Sequence, residues 1–193
     1  MLVAPLPVEF FARDTVDVAR DLIGCVLCRQ VGRALLAGTI VETEAYLPVR
    51  DPASHGYRGK TRKNASMFGP PGMSYVYPIH AKWCFNVVTE AEGLASAVLI
   101  RSIEPLKGIA QMRRHRGLHD NQGIVASGPA RLCQALRIDR SFDGWDLTAG
   151  KALWLQHHDG PPTRLNITRT RRIGVTAAKH RKLRFISQKD RHG

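Results

Sequence analysis

At 193 residues the chain fits one domain with room for a real core, and 44% hydrophobic and 23% charged residues are ordinary for a globular protein. The charge balance is not ordinary: 29 Lys plus Arg against 16 Asp plus Glu give +13 and a pI near 10.3. That balance disfavours cationic partners and points to polyanions, with nucleic acid ahead of an anionic membrane surface. The longest apolar run, Leu94 to Ile100 with Ser96 inside it, is too short to span a bilayer. The opening MLVAPLPVEFFARD has neither the basic lead nor the long apolar stretch of a secretory signal. The expected setting is therefore intracellular, in the cytoplasm or nucleoid if the protein is bacterial.

Asp14 reads as a helix N-cap, followed by an apolar stripe of Val16, Ala19, Leu22 and Ile23, with Gly24 as the stop. Residues 25–30 and 35–46 read as a strand pair. Cys25 and Cys28 lie three apart at the start of that pair, so a strand sends them to opposite faces. With Cys84 and Cys133 they supply no second close pair for a metal, so buried thiols and no metal site are expected. Residues 47–72 carry Pro48, Pro52, Pro70, Pro71, four glycines and many charges, and predict a long loop of the kind that is usually functional or disordered. Strands are expected at 73–80 and 83–89 with a tight connection between them, and at 95–103. Pro105 is expected to open a helix with Leu106, Ile109 and Met112 inward, and Ser127-Gly128-Pro129 a second one carrying Leu132, Cys133 and Leu136. Later strands are expected at 153–157, 172–175 and 183–187. This order predicts a single α+β domain over residues 1–193, built on a mainly antiparallel sheet.

Four segments carry side chains with chemical potential. In IVETEAY, residues 40–46, a strand puts Glu42, Glu44 and Tyr46 on one face. Two carboxylates and a phenol there suit a pocket with general acid–base capacity, or the solvent side of an edge strand. Arg101 interrupts the apolar AVLIRSI run, and a buried arginine needs a carboxylate partner. Glu44 or Glu42 is the natural candidate, in a site or in a purely structural ion pair. In YVYPIH, residues 75–80, Tyr75 and Tyr77 share a face that is either half-buried core or a stacking platform for bases. Pro78 marks an edge or a turn and places Ile79 or His80 near the hairpin tip. The helix start at Gly128 offers backbone N–H groups to a phosphate, as most helix starts offer them to water.

Taken in order, VETEAY at 41–46, His55, MF and PG within 67–72, YVY at 75–77, FNV at 85–87, LIRSIEPL at 99–106, SGPARLCQAL at 127–136, and RIGV followed by LRF resemble the alkyladenine (3-methyladenine) DNA glycosylase family along nearly the whole chain. The resemblance implies a curved antiparallel sheet with flanking helices and a protruding β-hairpin, a fold shared with the C-terminal domain of formyltransferases. It implies a monofunctional enzyme that flips a damaged purine from double-stranded DNA and hydrolyses its N-glycosidic bond, without lyase activity, metal or organic cofactor, as a monomer. Glu44 would be the general base and Arg101 its partner in holding the water. Tyr46, His55 and Tyr77 would cage the base, and Asn86 would disfavour the amino group of normal guanine. His80 stands where the family usually carries a tyrosine and would be the intercalating residue. A non-catalytic nucleic-acid-binding module of the same fold and an RNA-binding protein are the competing readings. Convergence of a glutamate and an arginine on the aromatic face favours the enzyme over either.

Overall fold

The computed structural model describes residues 3–119, 124–160 and 165–188. Asp14 accepts hydrogen bonds from Val16 N (2.8 Å) and Asp17 N (3.2 Å), capping the helix Thr15–Asp21 (α2). A single helical turn, Val8–Phe11 (α1), precedes it and buries Phe11. The inner stripe of α2 is Val18, Ala19 and, just beyond, Leu22; Val16 is only half-buried.

Strands Val26–Val31 (β1) and Ala34–Tyr46 (β2) pair antiparallel, and the thirteen-residue β2 is the spine of the sheet. The strands Ser74–Ile79 (β3), Lys82–Val88 (β4) and Ala97–Lys107 (β5) continue it on one side, and Leu153–Gln156 (β6) on the other. Their order is β3-β4-β5-β2-β1-β6; Asn166–Thr170 (β7) pairs with Arg184–Gln188 (β8), and β8 adds to the distal half of β2. Every pairing is antiparallel, and the result is a curled half-barrel in an α+β domain. One sheet face packs on α2 and on Pro129–Leu136 (α4), through Phe85, Val87, Val98, Ile100, Leu132 and Leu136, all fully buried. Thr43 Oγ1 donates to Ala19 O (2.7 Å), fixing β2 to α2. Cys25 joins this core while Cys28 packs on the opposite face, as strand alternation requires. Burial pushes both thiols up to about 12. Among the described residues no helix is long and apolar enough to cross a membrane.

Two expectations change. The helix expected at Pro105 begins later, at Ile109–His115 (α3), because β2 is long enough to keep pairing: Pro105 lies opposite Gly38 and Lys107 opposite Ala37, with a register shift between them. Such an irregularity accommodates a residue with no N–H to donate. Met112 is buried as expected, but Leu106 (44%) and Ile109 (43%) are exposed. Gly108 makes the turn at φ +71°, where a Cβ would collide with Leu36 and the Leu35 carbonyl. Residues 172–175 form no strand, since Arg172 turns inward to a buried partner; the strand here is β7 instead. Pro78 lies on β3, the edge strand, one of the two places expected of it, and the β3–β4 ladder runs on past it through Pro78↔Trp83 to Ile79↔Lys82. The two-residue tip, His80 (φ 45°) and Ala81 (φ 60°), is left-handed at both positions, a turn usually made with Asn and Gly.

Candidate active site

The face of the sheet away from the helices carries the site, and its composition follows from strand alternation. Because Thr43 and Ala45 point into the core, Glu42, Glu44 and Tyr46 point the other way. Cross-strand register extends this face: Glu44 lies opposite Leu99, Leu99 opposite Asn86, Asn86 opposite Tyr75, and Cys84 opposite Tyr77. The β2–β5 ladder shifts register on both sides of Glu42, passing from Ile40↔Ile103 to Glu42↔Ser102 to Thr43↔Ile100. Arg101 is thereby skipped, the sort of local break that re-aims a side chain. The solvent-side alternative for residues 42–46 does not hold, since β2 is interior to the sheet and Glu44 is 0% exposed.

Arg101 meets both carboxylates. Its Nε donates to Glu42 Oε1 (2.8 Å), and its Nη1 stands 3.3 Å from Glu44 Oε1. Burial alone would weaken its hold on the proton, but Glu44 and Glu42 together keep it above the usual arginine value. Glu42 also accepts from Arg184 Nε (2.6 Å) and Ser102 Oγ (2.7 Å). Burial raises its proton affinity, and these donors with Arg101 more than reverse that, leaving it below the ordinary range. Ser102 Oγ in turn accepts from Gly128 N (3.0 Å), so a backbone N–H at the start of α4 is committed within the protein. Glu44 accepts from Ile173 N (2.8 Å) at Oε1 and from the Tyr46 hydroxyl (2.9 Å) at Oε2. The Arg101 contact is an ion pair rather than a hydrogen bond, so among the described residues each oxygen of Glu44 accepts one hydrogen bond and keeps a lone pair.

Above this network lies a cleft of about 610 Å³ whose lining includes Tyr46, His55, Tyr77, His80, Arg101 and Ile173. Glu44 sits beneath the lining rather than in it. The volume falls inside the range of roughly 300–1,000 Å³ usual for small-molecule sites. His55 and Tyr77 touch edge-on, 4.4 Å between ring centres, so they make one wall together. Tyr75 is core-like at 3% exposure, and its hydroxyl is 2.9 Å from His55 Nδ1. Burial lowers the His55 pKa and favours the neutral ring; burial also raises the phenol pKa of Tyr46 and Tyr77. A small recess of about 10 Å³ opens between Tyr46, His55, Met67, Tyr75, Tyr77 and Asn86. Asn86 is 3% exposed, with Nδ2 donating to Tyr75 O (2.9 Å).

The loop over 47–72 is ordered by two buried polar residues that the sequence reading passed over. Asn64 Nδ2 donates to His55 O (2.8 Å) and Gly59 O (3.0 Å), and its Oδ1 accepts from Thr61 N (2.6 Å). Asp51 accepts from Leu47 N (3.0 Å) and makes a two-pronged pair with Arg172 at 2.6 and 2.7 Å. The argument that flagged Arg101, a charge set among apolar neighbours, does not reach Arg172, which follows Arg169, Thr170 and Arg171. Asp51 directly before Pro52, by contrast, was a legible turn signal. Among the described residues no group of three or more His, Cys, Asp or Glu is placed to hold a metal ion.

Known proteins resemble this chain along nearly its whole length. Residues 9–191 match the family model for methylpurine-DNA glycosylase. A protein of Carboxydothermus hydrogenoformans named "Putative 3-methyladenine DNA glycosylase" is 47% identical over 188 residues, covering 97% of each chain. Proteins of the same name from Methanoculleus marisnigri, 45% identical with 97% of each chain covered, and from Rhodopirellula baltica, 45% identical with 95% of this chain and 80% of the other covered, are similar throughout. The chain belongs to the methylpurine-DNA glycosylase family.

Proposed function

We propose that this protein takes a damaged purine of the 3-methyladenine type out of duplex DNA into the cleft between Tyr46 and the His55–Tyr77 wall and hydrolyses its N-glycosidic bond. The observation that carries the reading is Glu44, a fully buried carboxylate held by Arg101, Ile173 N and the Tyr46 hydroxyl directly under an aromatic cleft. A site that only stacked bases would need no such carboxylate. In the reaction the water oxygen bonds to C1′ of the deoxyribose, the water proton passes to Glu44, and the C1′–N9 pair leaves with the base. An open lone pair on this carboxylate is the acceptor for that proton. Positive charge that builds on the sugar is stabilised by the carboxylate. An alkylated purine is already cationic, so it departs neutral without a separate acid, and as a cation it is attracted to aromatic faces. Asn86 lines the small recess between these rings with its amide held on the Tyr75 carbonyl, a placement that supports a bias against the guanine amino group. His80 at the exposed hairpin tip is the residue to enter the stack and fill the vacated space. Removal of the base leaves an abasic sugar, the starting point of excision repair.

Glu44→Gln tests the reading. A glutamine can keep its carbonyl at Oε1, facing Ile173 N and Arg101, and present its amide to Tyr46, whose hydroxyl can turn to accept. The variant should fold and bind damaged duplex while excising the base roughly 10²–10⁴-fold more slowly under single-turnover conditions. Near-normal excision by Glu44→Gln, or no base released by the wild-type protein from alkylated duplex, would refute it.

A further inference from the structure

Arg172 and Asp51 lie outside the cleft, yet their contacts converge on the two residues given the central roles. Both side chains are 0% exposed, and the pair is two-pronged, Nη1 to Oδ2 at 2.7 Å and Nη2 to Oδ1 at 2.6 Å. Arg172 Nη1 also donates to the carbonyl of Ala45 (3.0 Å), the residue between Glu44 and Tyr46. Its guanidinium carbon lies 4.6 Å from the centre of the Tyr46 ring. Tyr46 lines the cleft and Arg172 does not, so the guanidinium backs the ring from the protein side. The next residue completes the set: Ile173, 49% exposed at the cleft edge, donates its N–H to Glu44 Oε1. Asp51, for its part, accepts from Leu47 N and Ala53 N, joining the exit of β2 to the segment that leads to His55.

From this convergence we infer that the buried Asp51–Arg172 pair is a positioning device for the proposed excision reaction, setting the Ile173 N–H against Glu44 and fixing the plane of Tyr46. The inference rests on the reading of Glu44 and Tyr46 given above. A planar fork is what the task requires. It satisfies two carboxylate oxygens and a carbonyl in one plane while its flat face supports an aromatic ring, which a lysine cannot do. The arrangement is not one that stability alone would select, because Arg172 Nε is buried without a hydrogen-bond partner among the described residues. A buried donor left open in this way is a cost that the remaining geometry imposes.

The test is Arg172→Lys, which keeps a positive charge beside Asp51 and removes the fork and the stacking face. Three quantities are measured on the full chain: the melting temperature, the single-turnover excision rate at saturating enzyme on alkylated duplex, and hydrogen exchange at the Ile173 amide by NMR. The inference expects a folded variant whose rate is down about 10- to 100-fold, as for a small misplacement of a reacting group, with protection of the Ile173 amide lost. An unchanged rate per folded molecule would overturn it, and so would a slowed rate with Ile173 protection intact. Should Arg172→Lys fail to fold, the charge-neutral double variant Asp51→Asn/Arg172→Gln is judged by the same criteria. Failure of both to fold would assign the pair to stability and reject the positioning role. The wild-type protein gives an independent check, since an unprotected Ile173 amide there overturns the inference even if excision is normal. Absence of wild-type excision with a protected Ile173 amide would instead reject the proposed function.

Discussion

Replacing Glu42 by Gln removes one charge from a partly buried group of four. Glu42 and Glu44 carry two negative charges, Arg101 and Arg184 two positive ones, and each is at least four-fifths buried at its side chain. The substituted glutamine can keep its carbonyl at the Oε1 position, where the Arg101 and Arg184 Nε groups both donate. Its amide must then face Ser102 Oγ, which already accepts from Gly128 N. Ser102 has a second lone pair to offer, but its own hydroxyl loses its acceptor. The losses are therefore charge assistance at two hydrogen bonds and one displaced proton, together ~1–3 kcal/mol. For a chain of this length that is a fall of roughly 2–12 °C in melting temperature. The effect on chemistry is indirect: Arg101 loses its stronger anchor and turns more freely beside Glu44, so single-turnover excision should slow about tenfold, ~1.4 kcal/mol. Thermal melting and rapid-quench excision on alkylated duplex read the two effects separately. A melting temperature within about a degree of wild type would refute the energetic argument. A rate loss equal to that of Glu44→Gln would move the base role to Glu42.

Acidification should destabilise the protein in two stages. His55 holds its proton less tightly in the fold than the ordinary 6.5, so the unfolded chain binds more protons just below that pH and stability begins to decline there. Asp51 and Glu42 have folded values below their ordinary 3.8 and 4.5, so their contribution is complete above those values and is lost as pH falls through the folded ones. Melting followed against pH should show a shallow limb and then a steep one, and His55→Gln should abolish the first. A melting temperature that rises as pH is lowered from ~7 to ~5 would contradict the His55 assignment, and one that stays level below pH ~4 would contradict the Asp51 and Glu42 assignment. His80→Ala should weaken excision through the flipping equilibrium, with a smaller defect when the lesion lies opposite an abasic site, where unpairing is cheap; equal defects in both contexts would shift the wedge to Ile79 or Lys82. Duplex affinity should fall with salt on a log–log slope of roughly −4 to −8, for ~5–9 phosphates contacted, and a near-flat dependence would remove the electrostatic argument.

Strand alternation, caps and punctuation decided a good deal by themselves. The period of two in VETEAY put Glu42, Glu44 and Tyr46 on one face, and that holds because a pleated strand leaves no choice once Thr43 and Ala45 are drawn to the core. Asp14 capped its helix, and Pro129 opened another, because both act within a single turn. A buried Arg101 demanded a carboxylate wherever the chain went. What lay beyond local chemistry was settled by partners distant in sequence. Pro105 would open a helix on its own, but the length of β2 kept it in the sheet. Residues 172–175 have strand composition, but Asp51, 121 positions earlier, draws Arg172 inward and lifts the segment off the ladder. The register shift that leaves Arg101 between Glu42 and Glu44, and the delivery of the Ile173 N–H to Glu44 across 129 positions, belong to the same class. Local propensity selects among conformations that differ by about 1 kcal/mol per residue, whereas a buried charge left without its partner costs several. The tertiary demand therefore prevails at Arg172, and that conflict falls beside Glu44, which the next residue, Ile173, reaches with its N–H.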